Sequence, residues 1–226
     1  DWSSDVCSSD LLLSIADPQG HYFDVQLRLS VKASKLELNP EGWRELRLRL
    51  PSWIPGSYLI REFSRNVVSF ESRVNGEACK WTKSSKDEWT VLCKAKTKDE
   101  LDFDLHWRVY AWDLSVRGAH LDETHAFFNG TSVFLCPVGW EDEAIELTVE
   151  RPVVGSAGAG KKPSGLNAQD WWVATGLELA DSPPASETKL FRVSKSKKGG
   201  EVQHGYTKLP AGGMLNFLAS NYDALI

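Results

Sequence analysis

The feature that most constrains the fold of this 226-residue chain is a two-residue alternation of apolar and polar side chains. Successive side chains of a β-strand point to opposite faces, so this alternation predicts strands with one buried face and one hydrated face. The clearest run is residues 101–109, and others are 23–31, 46–50, 89–93 and 145–149. The residues predicted to be buried are Phe23, Val25, Leu48, Trp89, Phe103, Leu105, Trp107 and Leu147.

One-sided burial is typical of antiparallel sheets. No window of eleven residues keeps a helical period, and turn pairs separate the apolar runs. Asn75-Gly76 predicts a tight hairpin. Asn129-Gly130 is interpreted as a turn, since Asn tolerates a left-handed backbone, rather than as a glycosylation acceptor. These patterns predict an all-β fold, either an antiparallel β-sandwich or a strongly twisted, saddle-like sheet.

The first eleven residues differ from the rest of the chain. Their sequence, DWSSDVCSSDL, can be back-translated into a standard short-read sequencing adapter. Residues 1–11 are therefore interpreted as an artefact, and the native domain is assigned to residues 12–226. Because residues 1–11 lack an apolar alternation, we expect them to project from the domain with few contacts.

Composition excludes two classes of partner. The formal net charge of −5 provides no basic surface for a nucleic acid. The apolar runs are far shorter than the roughly 20 residues that a membrane-spanning helix needs. Beyond residue 11, Cys79, Cys93 and Cys136 form no C-x-x-C motif. They are predicted to be free thiols, which favours a cytoplasmic location.

Two segments resemble known motifs but lack residues or spacings that those motifs require. Residues 155–162 resemble a phosphate-binding P-loop, but Lys162 replaces the Ser or Thr, and Pro163 stands where the helix should begin. His120 and His125 are five positions apart, whereas the two His of a metal-binding H-E-x-x-H helix are four positions apart. On a strand, an odd offset places side chains on opposite faces, so the two His are predicted not to share a metal ion.

Two stretches carry polar residues embedded among apolar ones, namely residues 50–66 and 109–135. Such polar groups must find partners or line a site. Both stretches resemble the N-terminal domain of the glycyl aminopeptidase family of zinc metallopeptidases, most closely along 53–66 and 110–135. The resemblance continues at residues 172–175 and 221–226, where this family enters its catalytic domain.

The resemblance implies that the parent is a zinc aminopeptidase, with a preference for glycine or alanine at the peptide N-terminus. A thermolysin-like catalytic domain bearing an H-E-x-x-H zinc site, and then a PDZ-like domain, would follow this β-rich domain. The present sequence contains no H-E-x-x-H. We therefore expect the chain to end before the catalytic domain and to be inactive by itself, with no catalytic residue, metal site or cofactor of its own.

The resemblance also implies that this domain packs on the catalytic domain of the same chain and helps to wall the cleft that binds the peptide substrate. The candidate substrate-proximal or interdomain residues are Tyr58, Arg61, Glu62, Asp113, Arg117, Asp122 and Asn129. We expect all of these except Tyr58 to form one cluster, with Arg61 and Arg117 as partners of the carboxylates. A purely structural role for this cluster remains open beside a substrate-binding role.

The alternative is a free-standing β-sandwich module that binds a glycan or peptide on exposed Trp side chains. The chain contains ten Trp residues. Against this alternative, Trp53, Trp89 and Trp107 are predicted to lie on buried strand faces. Trp43, Trp171 and Trp172 are then the remaining candidates for a binding platform.

Overall fold

The computed structural model describes residues 7–54, 59–96, 99–143 and 145–150, with the short segments 172–175, 178–179, 188–195, 201–208 and 214–219. The strands before residue 111 are β1 (Cys7–Asp17), β2 (Tyr22–Lys32), β3 (Glu37–Leu38), β4 (Arg44–Arg49), β5 (Val67–Val74), β6 (Glu77–Ala78), β7 (Lys80–Lys83), β8 (Glu88–Cys93) and β9 (Glu100–Tyr110). The later strands are β10 (Ala119–Leu121), β11 (Ala126–Phe128), β12 (Cys136–Pro137), β13 (Ile145–Glu150), β14 (Trp172–Thr175), β15 (Glu178–Leu179), β16 (Thr188–Lys195), β17 (Glu201–Lys208) and β18 (Met214–Ala219).

The helical elements of the described residues are 3₁₀ turns at Ala33–Lys35, Phe63–Asn66 and Gly130–Ser132. The predicted all-β fold is thus confirmed. Among these residues no helix has the length and apolar character to cross a membrane.

The largest sheet has eight strands in the order β15-β18-β13-β1-β2-β9-β5-β6. Its pairs are antiparallel except that β1 runs parallel to β13. The β2–β9 pair at the centre is in register from Tyr22 opposite Tyr110 to Lys32 opposite Glu100. A second sheet has the order β12-β4-β8-β7, with β3 on β4. β10 and β11 form a hairpin, and β14, β17 and β16 form a three-stranded sheet.

The inner faces of the two larger sheets share one hydrophobic core. Phe70 of the large sheet stacks on Trp89 of the second sheet, with ring centroids 6.2 Å apart. This face-to-face packing of two sheets is that of a β-sandwich. All eight residues predicted to be buried are at most 3% exposed. Trp107 is 2% exposed, and its indole Nε1–H donates to the Val133 carbonyl at 2.8 Å.

The expectation that residues 1–11 project from the domain is wrong for residues 7–11. Cys7 and Ser9 pair with β2, and Asp10 lies between Arg28 of β2 and Glu146 of β13. Leu11 is fully buried in the core. Strand pairing uses backbone groups that every such residue carries, so a polar segment that continues a strand can join a sheet without an apolar alternation. The artefact interpretation therefore gains no support from the structure, and residues 1–6 lie outside the described residues.

Other local predictions can be compared in the same way. Asn75 and Gly76 have φ values of 51° and 82°, as the predicted tight turn between β5 and β6 requires. Cys79, Cys93 and Cys136 are free thiols, as predicted. Burial raises the pKa of the Cys93 thiol to about 11, so this thiol is protonated and unreactive at neutral pH. The P-loop-like segment at 155–162 lies outside the described residues.

Candidate functional site

The two polar stretches meet at a cavity of about 360 Å³. One wall comes from residues 60–66, which lead into β5, and the other from residues 113–118, which connect β9 to β10. The polar groups of both walls therefore face a common space. The lining includes Ile60, Arg61, Glu62, Asp113, Arg117 and Gly118.

Backbone and side-chain hydrogen bonds hold the first wall in place. The Arg61 N–H donates to the Ser52 carbonyl at 2.5 Å. Ser64 is buried in the 3₁₀ turn, and its hydroxyl donates to the Lys86 carbonyl at 2.6 Å. Phe63 of the same turn is 7% exposed. The turn thus anchors this wall to the second sheet and leaves the neighbouring charged side chains at the cavity.

The second wall is a compact turn closed by Asp113. The Asp113 N–H donates to the Ala119 carbonyl at 2.9 Å. The Oδ1 atom of Asp113 accepts from the Ser115 N–H at 3.0 Å. A Cβ at Gly118 would lie only 2.4 Å from Asp113 Oδ2. Because no such contact is tolerated, glycine at this position allows the carboxylate to fold back over its own turn. Among the described residues, the Arg117 guanidinium has no ion-pair partner.

The partner of Glu62 differs from the predicted one. Its carboxylate pairs with Lys86 Nζ at 3.0 Å rather than with Arg61 or Arg117. Lys86 lies in the turn between β7 and β8, a segment distant in sequence. The hydrogen bond from Lys86 and its positive charge hold the pKa of Glu62 below the ordinary value. Both side chains are more than half exposed, so this pair contributes little to stability.

Asn129 supports the site without lining the cavity. It is the N-cap of the 3₁₀ turn Gly130–Ser132, and its side-chain oxygen accepts from the Thr131 N–H at 3.1 Å. Its own N–H donates to the Gly118 carbonyl at 3.0 Å, which ties this turn to the cavity wall. The predicted turn at Asn129-Gly130 is confirmed, with Asn129 in extended backbone at a φ of −94°. The capping bond supports this turn.

Replacing Asn129 with Ala should lower the free energy of unfolding by about 1 kcal/mol, because the capping acceptor is lost. Asn129→Asp keeps an oxygen acceptor and is expected to remain close to wild type. Urea denaturation of the two variants and the wild type measures the difference. Equal midpoints for Asn129→Ala and wild type would show that the cap contributes nothing.

Asp122 belongs to a different cluster, in the hairpin of β10 and β11. The Asp122 N–H donates to the His125 carbonyl at 3.0 Å, so the chain reverses between the two residues. As a result the His120 and His125 rings lie with centroids only 5.0 Å apart. The prediction that these two His side chains lie on opposite faces is therefore wrong. The offset rule assumed a straight strand, whereas Asp122 initiates a turn.

The Asp122 carboxylate is held by several donors. Its Oδ1 accepts from the Thr124 N–H and hydroxyl, both at 2.7 Å, and from the His125 N–H at 2.9 Å. Its Oδ2 lies 3.1 Å from His120 Nε2. Burial opposes ionisation, but these hydrogen bonds outweigh it and hold the pKa of Asp122 well below the ordinary value. Asp-x-Thr is a turn-forming pattern, and this sequence signal could have revealed the reversal.

The cavity therefore brings together Arg61, Glu62, Asp113 and Arg117, as expected for these four. Asp122 and Asn129 are not among its lining residues, so the expectation of one common cluster is wrong for these two. Tyr58 lies outside the described residues. Whether any of these side chains contacts substrate or another domain stays a prediction.

Apolar side chains are exposed on the same two stretches. Trp53 is 56% exposed, although it was predicted to be buried on a strand face. It lies between β4 and the 3₁₀ turn at residues 63–66, and none of the described strands includes it. The other members of this group, which we call the apolar rim, are Leu59 at 65%, Ile60 at 76%, Leu114 at 72% and Val116 at 77%.

A comparison with protein-family models identifies the chain. The model described as the Peptidase M61 N-terminal domain matches residues 10–198. The match covers most of the sequence, and the chain therefore belongs to this family of peptidase domains. The matched range begins within β1, whose residues 10 and 11 lie in the sheet. No curated protein matches the chain.

One of the similar solved structures supports the same architecture. An aminopeptidase N family protein from Idiomarina loihiensis is 30% identical, with a TM-score of 0.60 over 96% of this chain. The chain spans only 28% of the length of that protein. An M1 zinc metallopeptidase from Deinococcus radiodurans is 11% identical to this chain, with a TM-score of 0.42. The match covers 95% of this chain and 42% of the Deinococcus chain.

Proposed function

We propose that this domain is the non-catalytic N-terminal part of a zinc-dependent aminopeptidase that removes glycine or alanine from peptide N-termini. The observation that carries the proposal is the family match over residues 10–198. The Idiomarina relative, of which the chain spans 28%, supports a longer parent with additional domains. The residues of this chain do not fit the catalytic zinc site, because no H-E-x-x-H is present.

The partner of the domain is the catalytic domain of the same chain, which packs against the apolar rim. Large apolar side chains grouped at one site of a soluble domain mark an interaction surface. Ile60 lines the cavity, and Leu114 and Val116 lie in the segment 113–118 that forms its second wall, so covering these side chains would also bring the cavity to the interface. The free thiols agree with a cytoplasmic location for the parent enzyme.

At that interface the cavity forms part of the wall of the peptide-binding cleft. Glu62 is already paired with Lys86, whereas Asp113 has hydrogen bonds only from its own turn among the described residues. Asp113 is therefore the better-placed carboxylate for the free ammonium group of a peptide. Arg117, which has no ion-pair partner in this part of the chain, suits a substrate carbonyl or carboxylate.

The longer parent protein should hydrolyse alanyl and glycyl reporter amides, and the 226-residue chain alone should not. In the parent, Asp113→Asn should lower kcat/KM by about 10–100-fold, the effect of losing a hydrogen bond to a charged group. The melting temperature should be unchanged, because Asn keeps the oxygen that accepts from Ser115. Glu62→Gln is the matched control, and we expect near-wild-type kinetics for it.

Two outcomes would contradict the proposal at different levels. A parent protein that hydrolyses no aminoacyl amide, or a 226-residue chain that does so alone, removes the aminopeptidase assignment. Wild-type kinetics for Asp113→Asn leave that assignment intact and remove only the role of the cavity in substrate binding.

The exposed Trp side chains favour the second candidate, a free-standing module that binds a glycan or peptide. Trp53 and Trp112 are 56% and 53% exposed. In this alternative the isolated chain binds oligosaccharides or peptides with quenching of Trp fluorescence, and Trp53→Ala abolishes the quenching. The aminopeptidase proposal expects no such binding by the isolated chain.

A further inference from the structure

The turn between β10 and β11 places three potential metal-binding side chains next to each other. His120 is the middle residue of β10, Asp122 begins the turn, and His125 ends it. His120 Nε2 lies 3.1 Å from Asp122 Oδ2, and His125 Nδ1 lies 3.4 Å from Asp122 Oδ1. One donor atom from each side chain lies within 4.8 Å of the others.

The His–Asp separations are close to the ligand spacing around a small tetrahedral ion. Ligand atoms at about 2.0–2.1 Å from a tetrahedral centre are about 3.3 Å apart. The two His–Asp distances, which are measured to different oxygens of the Asp122 carboxylate, are close to this value. One donor atom from each side chain lies within 4.8 Å of the others, so the ligand atoms must close by up to about 1.5 Å to bind one ion. We propose that His120, Asp122 and His125 bind one divalent transition-metal ion of the zinc type, with the remaining position open to water.

The type of ion follows from the donor set. Two imidazole nitrogens and one carboxylate suit zinc and its neighbours, whereas calcium and magnesium prefer sites made of oxygen ligands. His125 is half exposed, with 51% of its side chain accessible, so an ion can enter from solvent. His120 and Asp122 form the more buried side of the site, with side chains 6% and 26% exposed.

The His120 ring is buried, with one of its two nitrogens unpartnered in the described part of the chain. His120 is only 5% exposed, and its Nδ1 has no hydrogen-bond partner among the described residues. A buried polar atom without a partner costs about 1–3 kcal/mol, and such atoms in native proteins call for a bound water, an ion or a functional role. The Nε2 atom on the other side of the ring faces Asp122 Oδ2 and is the nitrogen available to an ion.

The surrounding residues hold the Asp122 carboxylate and the His120 ring in place. Thr124 and the His125 N–H fix the Asp122 carboxylate through hydrogen bonds to Oδ1. The His120 ring packs against Trp112, with centroids 4.8 Å apart. Thr124 Oγ1 also lies 2.9 Å from His125 Nδ1, and this contact must be given up before the His125 ring, as the Nε2–H tautomer, can present its Nδ1 lone pair to the ion.

The test uses zinc chloride and cobalt chloride with the 226-residue chain after dialysis against a chelator. We expect one equivalent of tightly bound zinc by calorimetry, and d–d absorption of bound cobalt typical of tetrahedral coordination. His125→Ala should weaken zinc binding by at least about 10–100-fold, since even changes outside the ligand set cause losses of this size. Asp122→Asn should lose zinc as well.

His106→Ala is the matched control, because His106 is also a half-exposed His paired with a carboxylate, Asp104, at 2.9 Å. This variant should bind zinc like the wild type. Zinc should raise the melting temperature of wild type and His106→Ala but not that of His125→Ala. Since His125 is exposed, His125→Ala should fold normally, which circular dichroism without metal checks.

Absence of stoichiometric zinc binding, or equal binding by His125→Ala and wild type, would overturn the site. Equal losses in His125→Ala and His106→Ala would also overturn it, because they would indicate diffuse surface binding. None of these measurements involves peptide hydrolysis, so the outcome is independent of the proposed aminopeptidase function.

Discussion

Trp107→Ala should lower the free energy of unfolding by about 3–5 kcal/mol, the usual range for truncation of a fully buried aromatic residue. Trp107 is 2% exposed at the centre of β9, with β2 and β5 on its two sides. Its removal leaves a cavity between the two sheets and deprives the Val133 carbonyl of its indole donor. Urea or guanidinium denaturation measures the loss. For a domain of ordinary marginal stability, such a loss is a large fraction of the total.

Two further variants separate the causes of this effect. Trp107→Phe keeps an aromatic ring but removes the Nε1–H. Leaving the Val133 carbonyl without this donor should by itself lower the free energy of unfolding by about 1–3 kcal/mol. Trp53→Ala is the surface control, and because Trp53 is 56% exposed we expect a change within about 1 kcal/mol. A Trp107→Ala variant as stable as Trp53→Ala would contradict the position of Trp107 in the shared core.

Glu88→Gln should destabilise the domain by about 3 kcal/mol at neutral pH, and this difference should vanish in acid. Glu88 is 8% exposed at the start of β8. Its carboxylate accepts two hydrogen bonds from Arg47, each at 3.0 Å, and one from Arg49 at 3.0 Å. The Arg47 bonds, opposed by burial and helped by Arg49, lower the pKa of Glu88 from 4.5 to about 2.

The direction of the pH effect follows from this lowered pKa. The unfolded chain binds a proton at Glu88 more readily than the folded chain does, so acid favours unfolding. The stabilisation is complete above pH 4.5 and is lost as the pH falls through 4.5 towards about 2. Denaturation curves of wild type and Glu88→Gln at several pH values in this window should therefore converge.

Glu37→Gln is the control for the same arginine. Glu37 lies 4.0 Å from Arg47, but its side chain is 73% exposed. An exposed pair of this kind contributes little, so the variant should stay within about 1 kcal/mol of wild type at every pH. Parallel pH curves for Glu88→Gln and wild type would show that Glu88 does not titrate with a lowered pKa.

The candidate site was predictable in part. The polar residues among apolar neighbours at 60–62 and 113–117 correctly indicated segments that need partners, and these segments meet at the cavity. Their individual pairings were not predictable. Arg61 adjoins Glu62 in sequence, yet the Glu62 partner is Lys86, from a turn between two strands of the other sheet. Such a pairing depends on how the sheets pack, which no local pattern contains.

Local conformation was predictable where one short segment carries the whole signal. The alternation along β9 determines that Phe103 and Trp107 lie on the buried face of the strand, because the strand period is a property of the strand itself. Asn75-Gly76 determines its own turn for the same reason. Trp53 shows the limit of this rule, because an apolar side chain is buried only where a second surface covers it, and none of the described elements covers Trp53.

The sequence by itself therefore determined the fold class, the buried strand faces, the β5–β6 hairpin and the resemblance to a peptidase domain. Only the tertiary structure decided that β1 lies between β2 and β13, that the two polar stretches share a cavity, and that His120 and His125 face each other across Asp122. Periodicity is local, whereas strand order, loop contacts and chain reversals depend on hydrogen bonds and packing between segments that are separated in sequence or bent out of a straight strand.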